Sequence, residues 1–345
     1  MKWSLLFVLA TAVPSFAIDG TVHNATKDKP QPAATVSLFR ITQNGPEMLT
    51  SVKSISDGSF NIQPPAGSDT PGPKLLQAAY GGVTYNKMIP PGSPTQNLQI
   101  DVFESSAKAG DSKVTTHMML LEPVNGQVQV SESYVWTNTG KVTYSDPDRG
   151  TLRIYLPPET QGKAEVNVVA PNSVAIRRSA DPTNEPNVFK IDFPVKPGES
   201  RVDVTYKMPF TTPAKFTDKW LFPNPNTKLL APLGVTFSGA GLSQVGQEPT
   251  TKATIYNFDG PALAMDVQGT GTLPRGDAAA ASDANSGGDS DDQIAELLPQ
   301  LYGKVSPVDG FLGALNSVKW ILTLAVGMLA LGFVYLYRKP TSKTS

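Results

Sequence analysis

The chain has 345 residues with 29 Lys plus Arg against 30 Asp plus Glu, a net charge of −1, and no cysteine. The balanced charge argues against a nucleic-acid partner, and the missing thiols exclude disulfide staples, thiolate metal sites, a cysteine nucleophile and a lipid-modified cysteine. With 39% hydrophobic residues, 17% charged residues, 31 prolines and 29 glycines, the composition suits two or three domains of short strands joined by many turns.

The N-terminus carries Lys2, then an apolar run over residues 3–13 broken by Ser4 and Thr11, then Pro14-Ser15-Phe16-Ala17. A basic start, a short apolar stretch and a small-x-small ending predict a secretory signal peptide over residues 1–17, cut after Ala17. Strand alternation begins at once, in Ile18-Asp19-Gly20-Thr21-Val22.

Residues 18–102 predict the first β-sandwich. Val36 and Leu38 lie two apart on one strand face, Asp57-Gly58 supplies a turn, and Phe60 and Ile62 point inward on the strand after it. Four motifs stand in order: Gly20-x-Val22, Pro32-Ala33-Ala34-x-Val36-x-Leu38, Ser56-Asp57-Gly58-x-Phe60-x-Ile62, and Ala78-x-Tyr80-Gly81-Gly82-x-x-Tyr85. Together they resemble a carboxypeptidase regulatory-like domain, a transthyretin-like sandwich. That resemblance implies a scaffold, a spacer or docking module, or a carbohydrate-binding one, and it carries over no binding residue. Tyr80 and Tyr85 are the candidates for stacking on a sugar ring, with packing within the strand as the competing reading.

Longer strands follow. Val128, Val130, Tyr134 and Trp136 share one parity, as do Leu152, Ile154 and Leu156, then Phe189, Ile191 and Phe193, then Val202, Val204, Tyr206 and Met208. They predict a second, Ig-like sandwich over 113–210, with 211–273 a smaller β unit or an extension of it. The fold class is therefore all-β, with tandem sandwiches. Glu132 shares the parity of the apolar face of its strand, where a carboxylate needs partners. An edge strand, a bulge or a pairing with Lys or Arg accounts for it more economically than a functional carboxylate does.

Residues 274–317 predict a flexible linker rich in Ala, Ser, Gly and Asp, followed by a short juxtamembrane helix with Ile294, Leu297, Leu298 and Leu301 on one stripe, disturbed by Pro299. Asp289, Asp291 and Asp292 lack the spacing of a calcium loop. Residues 320–337 hold no charge, and as a helix they span about 27 Å, close to a bilayer core. A membrane helix over 318–337 follows, with Lys319, Trp320, Tyr335, Tyr337, Arg338 and Lys339 at its interfaces. The basic tail 338–345 places the C-terminus in the cytoplasm and the body outside it.

Catalytic signatures are not found. His23 and His117 begin no zinc spacing, and no nucleophile elbow, phosphate loop or dinucleotide fingerprint occurs. Asp146 and Asp148 beside Gly150 fit an ordinary turn better than a calcium-stabilised one. Asn24-Ala25-Thr26 formally fits a glycosylation acceptor. The sequence thus predicts no cofactor, no metal and no enzyme. Its first reading is an anchored interaction or structural module of a bacterial envelope, with the lipid bilayer and an envelope protein as partners. A glycan-binding module is the second reading, and an enzyme using Glu132, Glu122 or Asp203 the third.

Overall fold

The computed structural model describes residues 17–274, except 43–44, 69–71, 174 and 223–225. The predicted signal segment up to Phe16, the linker beyond Pro274, the membrane helix with Lys319, Trp320, Tyr335, Tyr337, Arg338 and Lys339, and the tail all lie outside the described residues. Among the described residues, no helix is long and apolar enough to cross a membrane. There the chain is all-β, its one helical turn being the 3-10 turn Pro158–Thr160.

The N-terminal part packs two four-stranded sheets. In one, Ile18–Asn24 is central, antiparallel to Ser59–Ile62 and Lys29–Pro30 and parallel to Leu98–Val102. The other runs in the order Gly45–Lys53, Thr35–Thr42, Lys74–Tyr80, Val83–Ile89. Alternation places Val22, Val36, Leu38, Ile62 and Leu76 in the space between, all fully buried. Burying each such side chain stabilises the fold by about 1.5–3 kcal/mol against the ordering entropy of the strands.

An eight-stranded sheet dominates the remainder. Its order is Ile176–Arg178, Glu165–Val169, Gly198–Pro209, Gln127–Asn138, Ser112–Val124, Asn226–Ala231, Thr254–Phe258, Leu242–Gln247. The hairpin at its centre turns on Asn125 and Gly126, both with positive φ (52° and 76°), the pairing that matches the twist of two-residue hairpins. Two three-stranded sheets share one continuous core with it. One contains Leu152–Tyr155 and Val188–Ile191; the other contains Ala214–Lys219, Ala262–Gly269 and Val235–Ser238. The sheet crosses the predicted division at residue 210, because Asn226–Ala231 pairs in parallel with Ser112–Val124.

The two parts meet through hydrogen bonds. Ser105–Ser106 pairs with Thr143–Tyr144, Thr26 Oγ1 donates to Lys141 O, and Asn86 Nδ2 donates to Ser173 Oγ at 2.7 Å. Asn24 of the glycosylation-type triplet is fully buried here. Its Nδ2 donates to Gln31 Oε1, Tyr80 Oη and Glu104 Oε1 at 3.0, 3.3 and 2.8 Å, so the nitrogen a glycan would need is engaged in the fold.

Candidate functional site

A buried polar cluster lies inside the larger part, built by strand parity. On Gln127–Asn138, Glu132 and Tyr134 face the shared core with Val128, Val130 and Trp136. The neighbouring strand places Met119 opposite Glu132 and His117 opposite Tyr134, which sets His117 diagonally from the carboxylate. On the far side Gly198–Pro209 contributes Tyr206. Ala214–Lys219 lays Asp218 over the cluster by the same alternation that buries Phe216 and Trp220.

His117 Nε2 lies 3.0 Å from Glu132 Oε2, and the Tyr134 hydroxyl donates to the same oxygen. The Tyr206 hydroxyl donates to Asp218 Oδ2 at 3.3 Å. Thr227 Oγ1 is 3.4 Å from His117 Nδ1, so each ring nitrogen has a polar neighbour. The imidazole stacks on the Tyr134 ring at 4.3 Å and 7°, with Trp220 edge-on at 4.9 Å. His117 is 0% exposed and Glu132 3%. Burial, then the Glu132 charge, holds the Asp218 carboxyl well above the usual carboxylate range. Burial and neighbouring carboxylates raise the Tyr134 and Tyr206 hydroxyls likewise.

The geometry corrects the reading of Glu132. Its strand is central, the bulge in the adjoining pair falls between Val114 and Thr116, and its partners are a histidine and tyrosines in place of Lys or Arg. Sequence reasoning passed over His117 as its partner because the contact depends on hairpin register. The signal was Asn125-Gly126: a two-residue turn pairs Val124 with Gln127 and so carries His117 to Tyr134. Asp218 was missed too, although it interrupts Phe216 and Trp220 as Glu132 interrupts its own face.

Glu122 and Asp203 do not join Glu132. Residues directly opposite in the antiparallel pairs share a face, so Asp203 lies with Ser133 behind the sheet. There Asp203 Oδ1 accepts from Ser133 Oγ at 2.6 Å and Oδ2 from Arg201 Nε at 2.8 Å. Glu122 Oε1 accepts from Leu273 N at 2.7 Å and borders a cavity of about 200 Å³ with Lys207 and Thr272. Asp146 Oδ1 accepts from Arg149 N at 3.0 Å, as in an ordinary turn. Among the described residues, no group of three or more His, Asp or Glu is placed to hold a metal.

The stacking candidates sit at the junction of the two parts. Tyr85 is 3% exposed; its hydroxyl donates to Phe103 O at 2.9 Å and meets Thr143 Oγ1 at 2.9 Å. A ring so enclosed presents no face to a sugar, which corrects that expectation for Tyr85. Tyr80 is half-buried and donates to Glu104 Oε1 at 2.5 Å. Lys27, then Tyr80 and Asn24, hold the Glu104 carboxyl down at about 2.

Lys196 Nζ lies 5.6 Å from the Tyr85 ring centroid, and burial, aided by Arg178, depresses its amine to about 8. An unfolded chain binds more protons than the folded one between this value and the usual 10.5. The contribution of Lys196 to stability is therefore complete above the ordinary lysine range and is lost as pH falls through about 8. Lys196→Met, which keeps the stem over Tyr85, is expected to raise the melting temperature at neutral pH and to flatten its rise with pH. A melting series between pH 7 and 10.5 checks both.

No family model and no curated protein sequence matches the chain. Among solved structures, an M1 zinc metallopeptidase from Deinococcus radiodurans aligns at a TM-score of 0.26 and 10% identity, covering 46% of this chain and 42% of that one. A mutant of a two-domain M1 zinc metallopeptidase bound to L-arginine aligns at 0.24 and 11%, with 46% and 42% covered. The chain spans less than half the length of these proteins, and a likeness at this level carries no argument about fold or function.

Proposed function

We propose that the protein is a membrane-anchored, non-catalytic module of the cell envelope whose β body presents an interaction or structural surface outside the cytoplasm. The observation that carries this reading is the junction of the body's two parts. They are joined by strand pairing at Ser105–Ser106 and Thr143–Tyr144 and by the bonds of Thr26, Asn86 and Tyr85, an arrangement suited to holding a surface in a fixed orientation. The apolar segments at residues 3–13 and 320–337 add the export signal and the anchor. The resemblance of residues 18–102 to a carboxypeptidase regulatory-like domain agrees with a scaffold role.

A second reading, glycan binding by the N-terminal sandwich, rests on a groove of about 720 Å³ lined by Asp19, Lys53, Ile55, Phe60, Asn61 and Asn97.

Crosslinking in native membranes, with tagged full-length chain compared with a chain ending before Thr270, tests the first reading. The expected result is an envelope protein captured by both forms, with mature chains beginning at Ile18. Capture of no protein, or uncut chains retained in the cytoplasm, would overturn it. Binding of a soluble glycan by the full chain, lost in Asn61→Ala, would transfer the case to the groove.

A further inference from the structure

The hairpin register that carries His117 to Tyr134 also sets a row of unlike polar side chains behind the sheet. Gln129 stands directly opposite Glu122 on one side and Lys207 on the other, so an amide lies between a carboxylate and an ammonium on three adjacent strands. Val124 and Asn125 close the turn end of this row, and Thr272 reaches it from the C-terminal side. Together they enclose the cavity of about 200 Å³ that Glu122 borders.

Gln129 Nε2 is shut off from solvent and, among the described residues, has no hydrogen-bond partner, a costly state for an amide with two N–H groups to give. Glu122 is 3% exposed; Leu273 N donates to its Oε1 at 2.7 Å, and a carboxylate has about four acceptor positions. Lys207 is exposed, its amine on a flexible stem that can swing over the cavity. The lining residues thus include one anion and one cation, set on either side of the amide. A lone anion entering here meets Glu122, and a lone cation meets Lys207. A molecule that carries both charges satisfies both ends. The volume lies below the roughly 300–1,000 Å³ of sites for drug-sized ligands, which limits the occupant to a few heavy atoms.

We infer that this cavity binds a small zwitterion, a free α-amino acid of the size of glycine or alanine. Its ammonium donates to Glu122, and its carboxylate accepts from Gln129 Nε2 and Lys207 Nζ. The site goes beyond the anchored-module reading and stands or falls without it. Thr272 lines the cavity between Gly271, whose N donates to Pro123 O at 3.0 Å, and Leu273, whose N donates to Glu122. A ligand seated there braces residues 271–273 against the sheet, so occupancy is felt where the chain leaves it.

The test is equilibrium dialysis of radiolabelled glycine against the full-length chain in detergent micelles. Unlabelled acetate and methylammonium serve as competitors, and hydrogen exchange of residues 271–273 is the second readout. The expected result is glycine bound with a Kd below about 1 mM, within reach of its few heavy atoms, and each competitor weaker by about tenfold or more. Lys207→Gln and Glu122→Gln should each weaken glycine by roughly ten- to hundredfold, the loss of one charge-assisted hydrogen bond. Bound glycine should also slow exchange at Gly271 and Leu273. Lys207 is exposed, so Lys207→Gln keeps the fold and decides the matter if Glu122→Gln does not fold. No glycine bound at about 10 mM, a competitor as strong as glycine, or an affinity unchanged in Lys207→Gln would each overturn the site. Exchange unmoved by bound glycine would place the binding elsewhere and overturn it too.

Discussion

Replacing His117 by alanine is expected to destabilise the larger part by about 3–5 kcal/mol, the cost of removing one partner from a buried ion or hydrogen-bonded pair. Two effects act together. The imidazole leaves a void between Tyr134 and Trp220, which it contacts at 4.3 and 4.9 Å, and Glu132 loses the donor at 3.0 Å. The electrostatic share is separable. Glu132→Gln in the His117→Ala background removes the buried charge and is expected to recover part of the loss, whereas the void remains. Urea denaturation followed by the fluorescence of Trp136 and Trp220, both buried in this part, measures the cycle. Equal losses in the single and double variants would show that packing alone is at stake.

Gly20→Ala is expected to be the most damaging single change in the N-terminal sandwich. A Cβ at Gly20 would lie 1.9 Å from Leu98 O, 2.7 Å from Leu98 C and 2.9 Å from Phe60 Cζ. The first two are backbone atoms of a strand paired in parallel with Gly20, so relief requires separating the strands. A cost of about 3 kcal/mol, at the upper end for overpacking, corresponds to a fall of roughly 12–24 °C in the melting temperature of a sandwich this size. Gly246→Ala is the control. A Cβ there meets nothing within 4 Å, and the change should stay within about 0.5 kcal/mol. Calorimetry of the two variants side by side gives the answer, and a Gly20→Ala transition that matches the wild type would contradict the steric argument.

The same two positions show what the sequence disclosed and what it withheld. Gly20-x-Val22 was readable as a strand motif, and Val22 is fully buried, but the need for glycine appears only when Leu98 arrives alongside. Parity correctly separated Val128, Val130, Tyr134 and Trp136 from their neighbours, because period-two alternation is local. It also placed Glu132 inward. What parity lacks is register between strands, and register brings His117 and Tyr206 to the face that carries that carboxylate. The hairpin share of this was legible in Asn125-Gly126. The share contributed by Asp218 was not, since its strand belongs to another sheet and pairs with Ala262–Gly269. Tyr85 failed as a stacking candidate for a related reason: its enclosure comes from Thr143 and Lys196, far away in the chain.

The parallel pairing of Ser112–Val124 with Asn226–Ala231 sets the order in which the body is completed. His117 and Thr227, adjacent in that pairing, are 110 residues apart. A chain emerging from its N-terminus closes the Asn125-Gly126 hairpin early, while the outer edge of Ser112–Val124 waits for a strand not yet made. Until then the apolar Met119 and Leu121 stand beside unpaired backbone groups, the condition under which strands join the wrong neighbour. Completion of this sheet is therefore a late event, and chain fragments ending before Asn226 expose an adhesive edge that the finished fold conceals.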